Sequence, residues 1–147
     1  MKNKMYISEQ IILEAVSNWT GGNEIKDNSI IEKVETKLGF KLPRSYKALV
    51  NQYNGGRPIK NCFDVGKRKG HVFRSLIPIE RITGMKGRVP GNNVPFAEDP
   101  FGNYICFNSN GNNISISYYN HEEVEDSKAI TIISGSFGGF INKLYKC

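Results

Sequence analysis

The sequence predicts an α+β fold: N-terminal helices packed on a mainly antiparallel β-sheet, with a closing C-terminal helix. Three observations carry this. Apolar residues recur at offsets of three and four from Ile11 to Tyr53, they cluster in short strand-like runs between turn residues after Gly56, and helical spacing returns near position 137. Helices first and strands afterwards, in a chain of 147 residues, is the pattern of one α+β domain spanning 1–147, with antiparallel neighbours in the sheet.

Three helices are expected at the start. Ile11, Ile12, Ala15 and Trp19 form one apolar stripe on a helix beginning near Ser8 and ending at Gly21-Gly22. Ser29 and Glu32 have the spacing of a capping box, and Ile30, Val34 and Leu38 supply the stripe of a second helix that Gly39 terminates. Pro43 suits the first position of a third helix, whose stripe is Tyr46, Leu49, Val50 and Tyr53. Asn54-Gly55-Gly56 then offers residues that tolerate positive φ.

Beyond Gly56, residues 62–65 and 72–77 read as strands around a Gly66–Gly70 turn, and Pro78 precedes a short helix over 79–85. A short strand is expected at 95–97, then turn chemistry over Asp99–Gly102. Residues 103–107 and 114–118 make a hairpin around an Asn-rich loop at 108–113, and 129–133 makes a further strand. Phe137, Phe140, Ile141 and Leu144 return to helical spacing, although Gly138-Gly139 costs about 2 kcal/mol relative to alanine and is expected to weaken or bend that last helix.

Composition narrows the function. A hydrophobic fraction of 39% is too high for a disordered chain. No apolar run approaches the ~20 residues of a membrane span, and none resembles a signal-peptide core, so a cytoplasmic protein with no membrane role is expected. The odd, widely spaced set Cys62, Cys106 and Cys147 then reads as three reduced thiols. His71 and His121 lack zinc-site spacing and have no evident Cys or Ser partner, so neither a metal nor a nucleophile–base pair is expected. With no phosphate-binding loop either, the expectation is a protein that is not an enzyme, with no cofactor and no small-molecule substrate.

The net charge of +6 is uneven. Residues 57–88 hold Arg57, Lys60, Lys67, Arg68, Lys69, Arg74, Arg81, Lys86 and Arg88 against Asp64 and Glu80, whereas 89–127 holds no basic side chain and carries Glu98, Asp99, Glu122, Glu123, Glu125 and Asp126. The basic segment, where Lys67–Lys69 and Arg74 interleave with His71 and Phe73, is raw material for nucleic-acid binding; its alternative is a charged turn beside an ordinary core strand. A polarised chain also suits a protein partner, its acidic part facing that partner and its basic part facing elsewhere.

Three segments resemble a known family. Glu32, Glu35, Leu38-Gly39, Leu42-Pro43, Tyr46-Lys47 and Asn54-Gly55-Gly56 together are similar to the N-terminal signature of the SUKH superfamily, which takes in fungal cell-wall assembly regulators and bacterial immunity proteins. Val94–Asn103 resembles its second signature and Ser136–Leu144 its closing helix, so the likeness covers 28–145. The resemblance implies a non-catalytic protein-binding module, most simply an immunity protein that neutralises a cognate toxin domain, with a regulatory scaffold as the other family role. Toxins met by such proteins include nucleases, whose clefts are basic because their substrates are polyanions. The expected contact face is therefore acidic: Glu98, Asp99, Glu122, Glu123, Glu125 and Asp126, with Tyr118 and Tyr119 beside them.

Overall fold

The computed structural model describes residues 18–147, so the helix expected from Ser8 lies outside it except for its last apolar position. That residue, Trp19, is in strand β1 (Trp19–Thr20), antiparallel to β2 (Arg57–Pro58). Its ring is buried edge-on against Phe73 at 5.4 Å, which fixes it as core.

Helix α1 (Ser29–Leu38) buries Val34, Glu35 and Leu38, and Gly39 ends it in the left-handed region with φ 83°. The expected capping box does not form. Asn28 occupies the cap position without a side-chain bond, and the Ser29 N–H donates to Asp27 Oδ1 at 3.0 Å. A carboxylate two residues upstream thus satisfies the Ser29 N–H, the donor that the Glu32 carboxylate was expected to reach back to. Helix α2 (Arg44–Tyr53) follows, with Pro43 one place outside it. Its Tyr46 is fully buried and meets Phe96, Phe107 and Phe137 edge-on at 6.0, 4.9 and 5.5 Å.

The Asn54-Gly55-Gly56 segment does more than turn. Asn54 is extended rather than left-handed; its Oδ1 accepts the Ile79 N–H at 2.8 Å and its Nδ2 donates to Glu80 at 2.7 Å, so it caps helix α3 (Ile79–Met85) from far along the chain. Gly56 is required by close approach, since a Cβ there would lie 2.9 Å from the Thr20 and Gly21 carbonyl oxygens.

Strands β3 (Cys62–Val65) and β4 (Arg68–Val72) form a hairpin. The strand expected over 72–77 is divided. The Phe73 N–H donates to the Asn61 carbonyl at 2.8 Å and the Arg74 N–H to the Glu98 carbonyl at 2.9 Å, so the chain leaves the hairpin and enters the main sheet as β5 (Ser75–Leu76). That sheet has the order β5-β6-β7-β8-β9 and is antiparallel throughout, with β6 at Asn93–Glu98, β7 at Tyr104–Asn110, β8 at Asn113–Tyr119 and β9 at Ile130–Ser134. The Asn-rich loop contracts to a two-residue turn, because pairing continues to Asn110 and Asn113.

A single turn, α4 (Asp126–Ala129), leads into β9, and α5 (Phe137–Asn142) closes the core with Phe137, Phe140 and Ile141. The double glycine does not undo α5. The Ser136 Oγ accepts the Gly139 N–H at 3.0 Å, and a Cβ on Gly139 would stand 2.9 Å from that oxygen, so the glycine makes room for its own cap.

The cysteine expectation is corrected. Tyr145 pairs with Cys62 as an isolated bridge, which brings Cys147 to Cys62 with a Cα–Cα distance of 5.3 Å, and the two form a disulfide. Only folding reveals this, since the partners are 85 residues apart. Cys106 remains a free, buried thiol, pushed up by burial against a bond from Ser117 that lowers it.

Candidate functional site

Two connections meet at one end of the main sheet: the turn after β6, residues 99–103, and the loop after β8, residues 120–125. Asp99 ties them together. Its Oδ1 accepts the Phe101 and Asn103 N–H groups at 2.8 and 2.9 Å, and its Oδ2 accepts Asn103 Nδ2 at 2.8 Å and the Tyr118 hydroxyl at 2.9 Å. Burial raises the Asp99 carboxyl, but these bonds outweigh it and hold the group below its ordinary value. Because Asn103 donates its amide to Asp99, its Oδ1 must accept. It takes the His121 N–H at 3.0 Å and lies 2.6 Å from His121 Nδ1, which therefore carries the proton.

Asp99 and Tyr118, expected on a contact face, are instead buried. They position the loops: burial and the bond to Asp99 push the Tyr118 phenol far up, so it stays a neutral donor. Glu98 and Tyr119 are half-buried strand residues, in register with Tyr104. Glu122, Glu125 and Asp126 are exposed on the loop and first turn of α4 and Glu123 is half-buried, while Glu125 meets Lys128 at 3.6 Å in a solvated pair.

Sequence reasoning missed the apolar residues among them. Phe101 is 73% exposed in the turn and Val124 is 94% exposed in the carboxylate run. A phenylalanine inside turn chemistry and a valine amid acids were the available signals, since neither place needs an apolar side chain.

The basic hairpin does not face elsewhere. Lys69 and His71 line an open groove of about 400 Å³ with Asp99, Phe101, Tyr118 and Glu122. A neighbouring groove of about 270 Å³ places Lys67 and Arg68 with Glu123 and Lys128. Charges separated by some fifty residues of chain therefore share one surface. His71 packs edge-on to Tyr118 at 5.1 Å, and its Nδ1 is buried without a hydrogen-bond partner. Burial lowers the imidazole more than Asp99 raises it, which favours the neutral ring.

Of the two rings interleaved with the basic residues, Phe73 is fully buried and unable to stack on a base, which leaves His71, packed edge-on to Tyr118, beside the hairpin's charge. Among the described residues no cluster of three or more His, Cys, Asp or Glu side chains is disposed to hold a metal, and no helix is long and apolar enough to cross a membrane. A model of the SUKH_6 family, described as SMI1-KNR4 cell-wall, matches residues 28–141, from the start of α1 into α5. No curated protein matches the chain.

Proposed function

The chain belongs to the SUKH_6 (SMI1-KNR4) family, and from that premise we propose that it is a non-catalytic protein-binding module, an immunity protein that neutralises a cognate toxin domain in the cytoplasm. The observation that carries the reading is two exposed apolar side chains amid acids: Phe101, which lines a groove with Glu122, and Val124, inside the run Glu122–Asp126. An exposed aromatic inside a polar surround is the anatomy of a binding anchor and its rim. The carboxylates attract a basic cleft during encounter, and Phe101 contributes affinity once it is desolvated.

Neutralisation then works by occlusion: the face covers the toxin's cleft and excludes its substrate. The chain's own part is to hold two loops rigid, and the Asp99–Asn103–His121 chain of hydrogen bonds supports that rigidity. A preorganised face loses little entropy on binding.

The test uses a toxin domain encoded in the neighbouring reading frame. Association rates are measured at low and high salt for the wild type, Phe101→Ala and the double variant Glu122→Lys/Glu123→Lys. Slower association of the double variant at low salt, and faster dissociation of Phe101→Ala, support the reading. Wild-type kinetics for both variants reject this face.

A further inference from the structure

The disulfide is joined to the site end of the molecule by a strap. The segment from Tyr145 to Cys147 runs beside β3: the Cys62 N–H donates to the Tyr145 carbonyl at 2.9 Å and the Tyr145 N–H to the Cys62 carbonyl at 3.0 Å. The Tyr145 hydroxyl reaches further along the hairpin. It donates to Asp64 Oδ1 at 2.5 Å and accepts the Gly70 N–H at 3.1 Å, so one side chain pins both arms of the β3–β4 turn. Lys67 in the turn and Arg68 and Lys69 at the start of β4 lie between Asp64 and Gly70 in the chain and line the grooves shared with Glu122 and Glu123. Cys62 is buried whereas Cys147 is exposed, so the bond is open to attack from the Cys147 side.

We propose that Cys62–Cys147 is a reversible thiol–disulfide site whose closure docks the strap and holds the basic β3–β4 turn in place, and whose opening releases that turn. The reductant is a dithiol of the kind that keeps intracellular thiols reduced. One of its thiolates attacks the Cys147 sulfur, the Cys62–Cys147 bond breaks, and Cys62 leaves as a thiolate that takes up a proton in its buried setting. The second thiol of the reductant then displaces Cys147 from the mixed disulfide. Two electrons and two protons reach the protein, and the reductant departs as its own disulfide. In a reducing compartment the strap is undocked at rest, and oxidation closes it.

The strap depends on the covalent bond because its other ties are few. Two backbone hydrogen bonds and one exposed tyrosine are within the range that frays locally without global unfolding. An effect of this switch on partner binding rests on the contact face proposed above; the switch itself does not.

Limited proteolysis tests it without a partner. Wild-type protein is prepared oxidised and reduced with dithiothreitol, its thiols are counted by alkylation after denaturation, and trypsin cleavage is followed by mass spectrometry. Oxidised protein is expected to alkylate at Cys106 alone and reduced protein at all three cysteines. Cleavage after Lys67, Arg68 and Lys69 should be about tenfold faster in the reduced form. Cys147→Ser should show the fast rate with or without reductant, and Tyr145→Phe should raise the rate while retaining the disulfide. Equal rates in the two redox forms, or three alkylated cysteines after oxidation, overturn the proposal. So does cleavage at Lys33 and Arg81 rising in step with the turn, since that denotes global unfolding.

Discussion

The segment from Ser29 to Gly56 and the loops at 99–103 and 120–126 use their polar residues in opposite ways. In the first, the family signature turns inward. Glu35 is buried and its Oε2 accepts the Leu42 N–H at 2.7 Å, with Lys47 at 3.4 Å, while Asn54 caps a helix in another part of the chain. In the second, a buried aspartate supports loops whose Glu122, Glu125, Asp126, Phe101 and Val124 face solvent. The first signature thus builds the scaffold, whereas the second, Val94–Asn103, holds both a buried support, Asp99, and the exposed Phe101, and the run Glu122–Asp126 lies outside the signatures. A motif rich in polar side chains is not by that fact a binding site.

Substitutions at the two regions separate stability from binding. Asp99→Ala should have the largest effect, about 3–4 kcal/mol of unfolding free energy by chemical denaturation, because it strands donors on Phe101, Asn103 and Tyr118. The same residue sets a pH dependence. Its folded-state carboxyl lies below the unfolded value, so its contribution is complete above about pH 4 and is lost as pH falls through the folded value. Acid titration of stability should show that loss in the wild type and a flatter profile in Asp99→Asn.

Glu35→Ala should cost about 2–3 kcal/mol, since the buried Leu42 N–H loses its acceptor, and should leave toxin association unchanged in the folded fraction. A binding defect as large as the stability defect would show that the two regions do not divide these roles. Phe101→Ala should behave in the reverse manner, with stability within about 0.5 kcal/mol of wild type and about 2 kcal/mol lost from binding by calorimetry. The smallest expected effect is that of Glu122→Lys/Glu123→Lys, about tenfold in association rate at low salt, fading as salt screens the rim.

Much of the scaffold was legible because local rules operate where they were applied. The α1 and α2 stripes, Gly39 as terminator, Ile79–Met85 as a helix and the hairpin of 103–107 with 114–118 all follow from periodicity and turn residues. The failures are of one kind. The Ser29 N–H bonded Asp27 rather than Glu32, and the strand expected at 72–77 divided because Phe73 and Arg74 found backbone partners on two different elements. In each case a group had more than one available partner, and spacing along the chain does not rank them.

The site was less legible. The exposed carboxylates were identifiable as charge, yet Asp99 and Glu122 look alike in sequence although one is buried on four hydrogen bonds and the other is exposed. By itself, then, the sequence determined the fold class, the family and the apolar stripes of α1 and α2, since these depend on the period and composition of neighbouring residues. Tertiary structure alone decided which carboxylate supports and which is presented, that the basic turn shares a surface with the acidic loop, and that Cys62 meets Cys147. Those outcomes depend on which distant groups the closed sheet brings within a few ångströms, and hydrogen bonds, desolvation and disulfides act only at that range.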